Sequence, residues 1–177
     1  QGNSIGELPA TPKASIEQIL AEADDSSPEE ANSLRLSAAD LAYQQQDFNR
    51  SSSIPLLVPL DSLPPAQQTY AQTLQAELAL HRKKPKSALN YLNHPSFQQL
   101  EQLPVEQQIR SSLVRAEALQ ADNQILTAAR ERVFIAPLLS GNTASSNHEK
   151  IWELVASLPD DQLRPGSDAD LTGWLEL

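Results

Sequence analysis

Three histidines, four carboxylate pairs, one basic run and two tryptophans are the side chains in this sequence that could do chemistry. His81, His94 and His148 stand far apart, and none has a second His or a Cys three or four residues away. That spacing is what puts two metal ligands on one helix face, so the histidines read as polar surface or helix-end residues. The carboxylate pairs are Asp24-Asp25, Glu29-Glu30, Asp160-Asp161 and Asp168 with Asp170. All four fall at predicted helix ends, where an acid meets free N–H groups and the positive end of the dipole. Asp168-Ala169-Asp170 lacks the Gly and the closing Glu of a calcium loop. Neither a Gly-x-Ser-x-Gly elbow nor a Gly-rich phosphate loop occurs. No catalytic, metal or cofactor site is therefore expected, and the chain reads as a non-enzyme.

Two constellations point instead to contact with other molecules. Arg82, Lys83, Lys84 and Lys86 form the one basic cluster. A helix C-terminus explains it, since cations there meet the negative end of the dipole; an anion patch for a partner is the functional alternative. Trp152 and Trp174 each lie in a helical apolar pattern: Ile151, Leu154, Val155 and Leu158 around one, Leu171, Leu175 and Leu177 around the other. Aromatics at such spacing are usually packed, so both read as packing anchors rather than ligand stackers. The chain ends within the second of these runs, which makes a continuation beyond Leu177 the expectation.

The elements that must position these residues are helices. Only 5 Gly occur in 177 residues, against abundant Ala, Leu, Gln and Glu, which lose little freedom in a helix. Net charge is −10, which repels phosphate backbones and excludes nucleic acid as the expected partner. Cysteine is absent, removing disulfides and thiolate chemistry. No run of about 18 apolar residues is available to span a membrane. Residues 1–14, with Pro9 and Pro12, read as a flexible arm, and residues 15–177 as one helical domain. Ser15 with Gln18 resembles a capping box. Ser27-Pro28-Glu29-Glu30 is a stronger helix start, with a cap, a proline in the first turn and an acid three residues after the cap.

Pro28, Pro65 and Pro104 open three long helical patterns 37 and 39 residues apart, near the roughly 34-residue period of tetratricopeptide helix pairs. Each long helix has a shorter partner: Phe48 to about Val58, interrupted at Pro55, whose ring cannot donate and clashes with the preceding turn, Pro85 to Leu92, and Asn123 to Ala136. Pro95 to Leu100 reads as a short extra turn. Ala38, Ala42, Ala88 and Ala129 supply the small side chains that close helix pairs need. The fold expected is all-α, with tetratricopeptide-like pairs stacked as a short right-handed α-solenoid. Ser140 to Asn147 is small and polar and reads as a loop. The Gln-rich stretches, including Gln67, Gln68, Gln107 and Gln108, read as solvated helix surface or as part of a concave binding face.

The last third carries a family likeness. Gln107-Gln108-Ile109-Arg110, Asn123, Ala129-Arg130, Phe134-Ile135-Ala136-Pro137-Leu138-Leu139, Ile151-Trp152 with Leu154, and Gly173-Trp174-Leu175-Glu176-Leu177 resemble the LpoA family. These are outer-membrane lipoproteins that activate a class A penicillin-binding protein, a bifunctional peptidoglycan synthase. The likeness is good over residues 105–177 and rests on helix order and spacing before that.

The resemblance implies a helical N-terminal domain, followed in the family by a domain similar to periplasmic substrate-binding proteins. It implies a periplasmic location at the inner face of the outer membrane. A lipid-bearing Cys upstream of Gln1 would be the only membrane contact. The synthase would be the partner, engaged mainly through the second domain, with peptidoglycan as a further contact. Trp152, Gly173 and Trp174 would pack the junction toward that second domain. Two functions follow as expectations: a non-catalytic scaffold that helps span the periplasm, or a helical-repeat module that holds a partner directly on its concave face. A cell-wall hydrolase would need carboxylates converging in a cleft, and the pattern offers none.

Overall fold

The structure, a computed structural model, describes residues 12–54, 56 and 59–163. Among the described residues it is all-α: α1 Pro12–Asp24, α2 Pro28–Gln44, α3 Phe48–Ser53, α4 Pro65–His81, α5 Pro85–Leu92, α6 Val105–Ala121, α7 Ile125–Ile135 and α8 Gly141–Ala156. Short 3-10 turns occupy Leu60–Ser62, Pro95–Gln102, Ala136–Leu138 and Asp160–Leu163. The chain divides into two compact units, residues 1–68 and 69–177, and α4 runs from the first into the second.

Three helix pairs, α2–α3, α4–α5 and α6–α7, are joined by the same turn. Gln46, Lys83 and Asn123 sit at φ of 63°, 60° and 61°, 37 and 40 residues apart. Around each, the next residue's N–H reaches back five positions: Asp47 to the Ala42 carbonyl, Lys84 to Ala79 and Gln124 to Leu119, at 2.9, 2.9 and 2.8 Å. The left-handed residue itself donates three positions back, to Tyr43, Leu80 and Gln120. This is a Schellman ending, which satisfies helix carbonyls that would otherwise be orphaned. The repeat is also kept in packing. Ala39, Ala76 and Ala116 lie seven residues before each turn and are buried; Ser51, Ala88 and Ala128 lie five after and are buried too. In the first pair the Ser51 hydroxyl donates to the Ala39 carbonyl at 2.7 Å, so the two positions face each other across the pair.

A second repeated device precedes α4 and α6. The Gln68 side chain donates to the Leu63 carbonyl at 2.7 Å and the Asp61 carbonyl at 3.4 Å. Gln108 does the same to Leu103 at 2.7 Å and Glu101 at 3.3 Å. These two glutamines, read as solvated surface or part of a concave binding face, are anchors that tie each long helix to the 3-10 turn before it.

In the first unit, Ile16, Ala38 and Ala42 form a buried cluster with Ile19, Leu20, Leu41 and Ile54 against it. Arg35 bonds Asp24 at 3.0 Å and Arg50 bonds Glu17. In the second, Ala76, Ala79, Ala88, Leu92, Val114 and Ala118 bring together α4, α5 and α6. Leu119, Ala128, Ala129, Ile151, Leu154 and Val155 do so for α6, α7 and α8.

Several expectations need correction. Helix α1 begins at Pro12, so Ser15 lies inside the helix rather than at its start, and residues 12–14 are helical rather than part of an arm; residues 1–11 lie outside the described residues. Asp24 closes α1 and Asp25 follows it, at the negative end of the dipole, where Arg35 offsets the Asp24 charge. Helix α3 stops at Ser53, ahead of Pro55. The largest change is at 140–147, where the expected loop is the first half of α8. Its inward stripe runs Ala144, Asn147, Ile151 and Leu154. One of these steps is a buried amide, so the apolar period looked broken where the helix continues.

Candidate functional site

The basic turn comes first. Arg82, Lys83, Lys84 and Lys86 are all exposed in the connection from α4 to α5. Arg82 and Lys83 follow the C-terminus of α4, where helix-end electrostatics account for them. Lys84 and Lys86 differ. Lys84 is the N-cap of α5 and makes no side-chain capping bond; Lys86 lies in its first turn, which holds no acid. Cations there oppose the positive end of the dipole, so local helix chemistry does not explain them. The structure gathers the four cations in the connection from α4 into the first turn of α5.

Trp152 does not pack in the core. It is 41 % exposed on α8, while its neighbours Ile151, Leu154 and Val155 are buried. Its indole Nε1 donates to His148 Nε2 at 2.9 Å, and the two rings meet edge to face at 6.2 Å. Phe134, at 65 % exposure, and Leu138, at 41 %, are further outward apolar side chains of this unit. Gly173 and Trp174 lie outside the described residues. The other histidines are accounted for locally: His94 caps the turn Pro95–Gln102, its Nδ1 accepting from the Ser96 N–H at 3.2 Å. Among the described residues no group of three or more His, Asp or Glu is placed to hold a metal.

The least expected feature is a polar interior between α6, α7 and α8. Arg132 is 2 % exposed and Asn147 3 %. The Arg132 Nη1 donates to Asn147 Oδ1 at 3.2 Å, and Asn147 Nδ2 donates to the Arg132 carbonyl at 3.0 Å. Burial pushes the Arg132 guanidinium below its ordinary value, with Glu117 acting in the opposite sense. Beside them is a cavity of about 270 Å³ lined by Leu113, Glu117, Arg132, Asn142, Thr143, Ser146, Asn147 and Lys150. On the other side of α7, burial raises the Glu131 carboxyl above its ordinary value, against the lowering effects of Arg115 and the Ser112 hydroxyl. Sequence reading missed this region. The buried face of α7 is Ala128, Ala129, Arg132 and Ile135, with Ile125, Leu126 and Val133 packed partly buried beside it. The available signal was Arg132 standing four residues after Ala128 and three before Ile135.

Residues 9–177 match the family described as "LppC putative lipoprotein". The penicillin-binding protein activator LpoA of Photobacterium profundum is 32 % identical over 120 residues, 66 % of this chain and 19 % of that protein. LpoA of Vibrio cholerae is 25 % identical over 177 residues, 98 % of this chain and 29 % of its own length. The chain thus spans less than a third of these relatives. Among solved structures, full-length LpoA from Haemophilus influenzae superposes with a TM-score of 0.61 at 20 % identity, over 94 % of this chain and 31 % of that one. The crystal structure of its N-terminal domain superposes with a TM-score of 0.63 at 19 % identity, over 94 % of this chain and 76 % of that one.

Proposed function

This chain belongs to the LppC lipoprotein family, with the fold of the LpoA N-terminal domain, and from that membership we propose that it is a non-catalytic scaffold within an activator of a penicillin-binding protein. The observation that carries the reading is the alignment of nearly the whole chain with proteins named as such activators, together with the match in fold. In this reading the helix pairs position a following domain at a class A synthase. The protein sits in the periplasm, held to the outer membrane by a lipid upstream of Gln1. None of the described helices is long and apolar enough to cross a membrane. Trp152, exposed on the last long helix described, packs the junction toward that following domain, with Gly173 and Trp174 completing it.

The experiment adds the purified 177-residue chain to its class A synthase and measures glycan polymerisation. The expected result is no activation by the chain alone, with activation by the full-length protein. Activation by the chain alone would overturn the scaffold reading.

One observation favours an added contact role. Lys84 and Lys86 oppose the dipole of α5 while remaining exposed, a local cost that an anionic partner such as peptidoglycan offsets. With Arg82 and Lys83 they form the contact patch.

A further inference from the structure

We propose that the basic turn from α4 into α5 binds a free carboxylate of an anionic partner, which caps α5 in the place where Asp47 caps α3. Asp47, Lys84 and Gln124 each follow a left-handed residue and stand at the N-cap of the short helix of a pair. The three starts are alike in backbone: the cap carbonyl accepts from the N–H of Ser51, Ala88 and Ala128 at 3.0, 3.0 and 2.9 Å. They differ in the side chain. Asp47 Oδ1 accepts from the Arg50 N–H at 3.1 Å. Lys84 makes no side-chain capping bond, so the Ser87 N–H, at the position of Arg50, has no cap acid of its own. The first pair shows where a carboxylate oxygen sits, and the second lacks the residue to put one there.

The charge around α5 fits such a ligand. Gln124 leaves α7 without a side-chain cap too, but that turn carries Asp122 and no cation. The turn into α5 carries Arg82, Lys83, Lys84 and Lys86, all exposed. From Leu78 to Leu100 the chain holds no Asp or Glu, although its net charge is −10. Lys84 and Lys86 stand where the helix dipole favours an anion, and a bound carboxylate attracts both. Pro85 has no N–H, so the first turn presents Lys86 and Ser87 as its donors. Two donors match the two oxygens of a carboxylate. One such contact at an exposed helix end is weak, so the ligand is a polymer that repeats its carboxylates and meets several cations at once. The inference rests on the reading of this turn as a contact patch for peptidoglycan. It names the group recognised there, a carboxylate of the polymer's peptides.

The test follows the Ser87 amide resonance of the 177-residue chain by NMR. Sodium acetate and sodium phosphate are each titrated against sodium chloride at equal ionic strength. Ser87 should shift saturably with acetate, and more than with phosphate. Thr127, its counterpart in α7, should not shift. Lys84→Asp gives α5 its own cap and should abolish the Ser87 shift. Lys83→Gln combined with Lys86→Gln removes the same two units of charge without adding a cap, and should weaken acetate only several-fold. Equal loss in the two variants, a larger shift with phosphate, or the same shift with chloride overturns the proposal. Co-sedimentation with isolated peptidoglycan, before and after its carboxyls are converted to amides, reads the partner separately. Binding should be lost on amidation. Binding that survives amidation overturns the carboxylate and leaves the contact patch standing. Acetate shifts without co-sedimentation uphold the carboxylate site and remove peptidoglycan as its source.

Discussion

Asn147 meets Arg132 twice, accepting from its guanidinium at 3.2 Å and donating to its main-chain carbonyl at 3.0 Å. One amide thereby pins the first half of α8 to α7 through both a side chain and a backbone group. Removing it strands a buried carbonyl and another guanidinium donor. Asn147→Ala should cost about 2–3 kcal/mol in urea unfolding. Asn142→Ala, exposed nearer the start of the same helix, should stay within about 0.5 kcal/mol. Equal effects would mean the contact contributes little.

The raised Glu131 carboxyl makes a pH prediction. Its folded value lies above its unfolded one, chiefly through desolvation. Between the two, the folded state binds more protons, so its stability contribution is present at low pH and lost as pH rises through the folded value. Glu131→Gln should therefore raise Tm at pH 7 relative to the parent, with the gain shrinking as pH falls toward 4. A gain that is the same at both pH values would remove ionisation as its cause.

At Lys83 the backbone adopts a conformation that glycine takes freely, with φ of 60°. Lys83→Gly should stabilise by up to about 1 kcal/mol, and Lys83→Val should destabilise by at least as much. Thermal unfolding of the two variants checks both signs.

Lys86 lies in the first turn of α5, at the wrong end of the dipole for a cation. Lys86→Glu should add about 0.3–1 kcal/mol of stability, yet reduce co-sedimentation with peptidoglycan. Higher stability with unchanged binding would remove Lys86 from the contact patch.

Much of the helix order was legible in the residues, for particular reasons. Pro85 in a first turn marked α5, and Ala88 and Leu92 at helical spacing gave its buried face. The turn repeat was hidden because Gln46, Lys83 and Asn123, rather than glycine, adopt the left-handed conformation; only the backbone reveals that they are equivalent. The start of α8 was hidden because Ser140-Gly141-Asn142 has loop composition and Asn147, not an apolar residue, faces inward. Tertiary packing of Ile151, Leu154 and Val155 carries that helix over its weak local preference. The basic turn was found because a charge run is visible in any sequence. Arg132 was not, since a buried arginine resembles a surface one until its surroundings are known.

The scaffold role is tested most directly by exchange. In the full-length protein, residues 1–177 are deleted, or replaced with an unrelated rigid helical spacer of equal length, and activation of the class A synthase is measured in cells. Deletion should abolish activation and the spacer should restore it. A spacer that leaves activation lost, while the remaining domain still binds the synthase, would contradict the scaffold role and assign a direct binding function to the helix pairs.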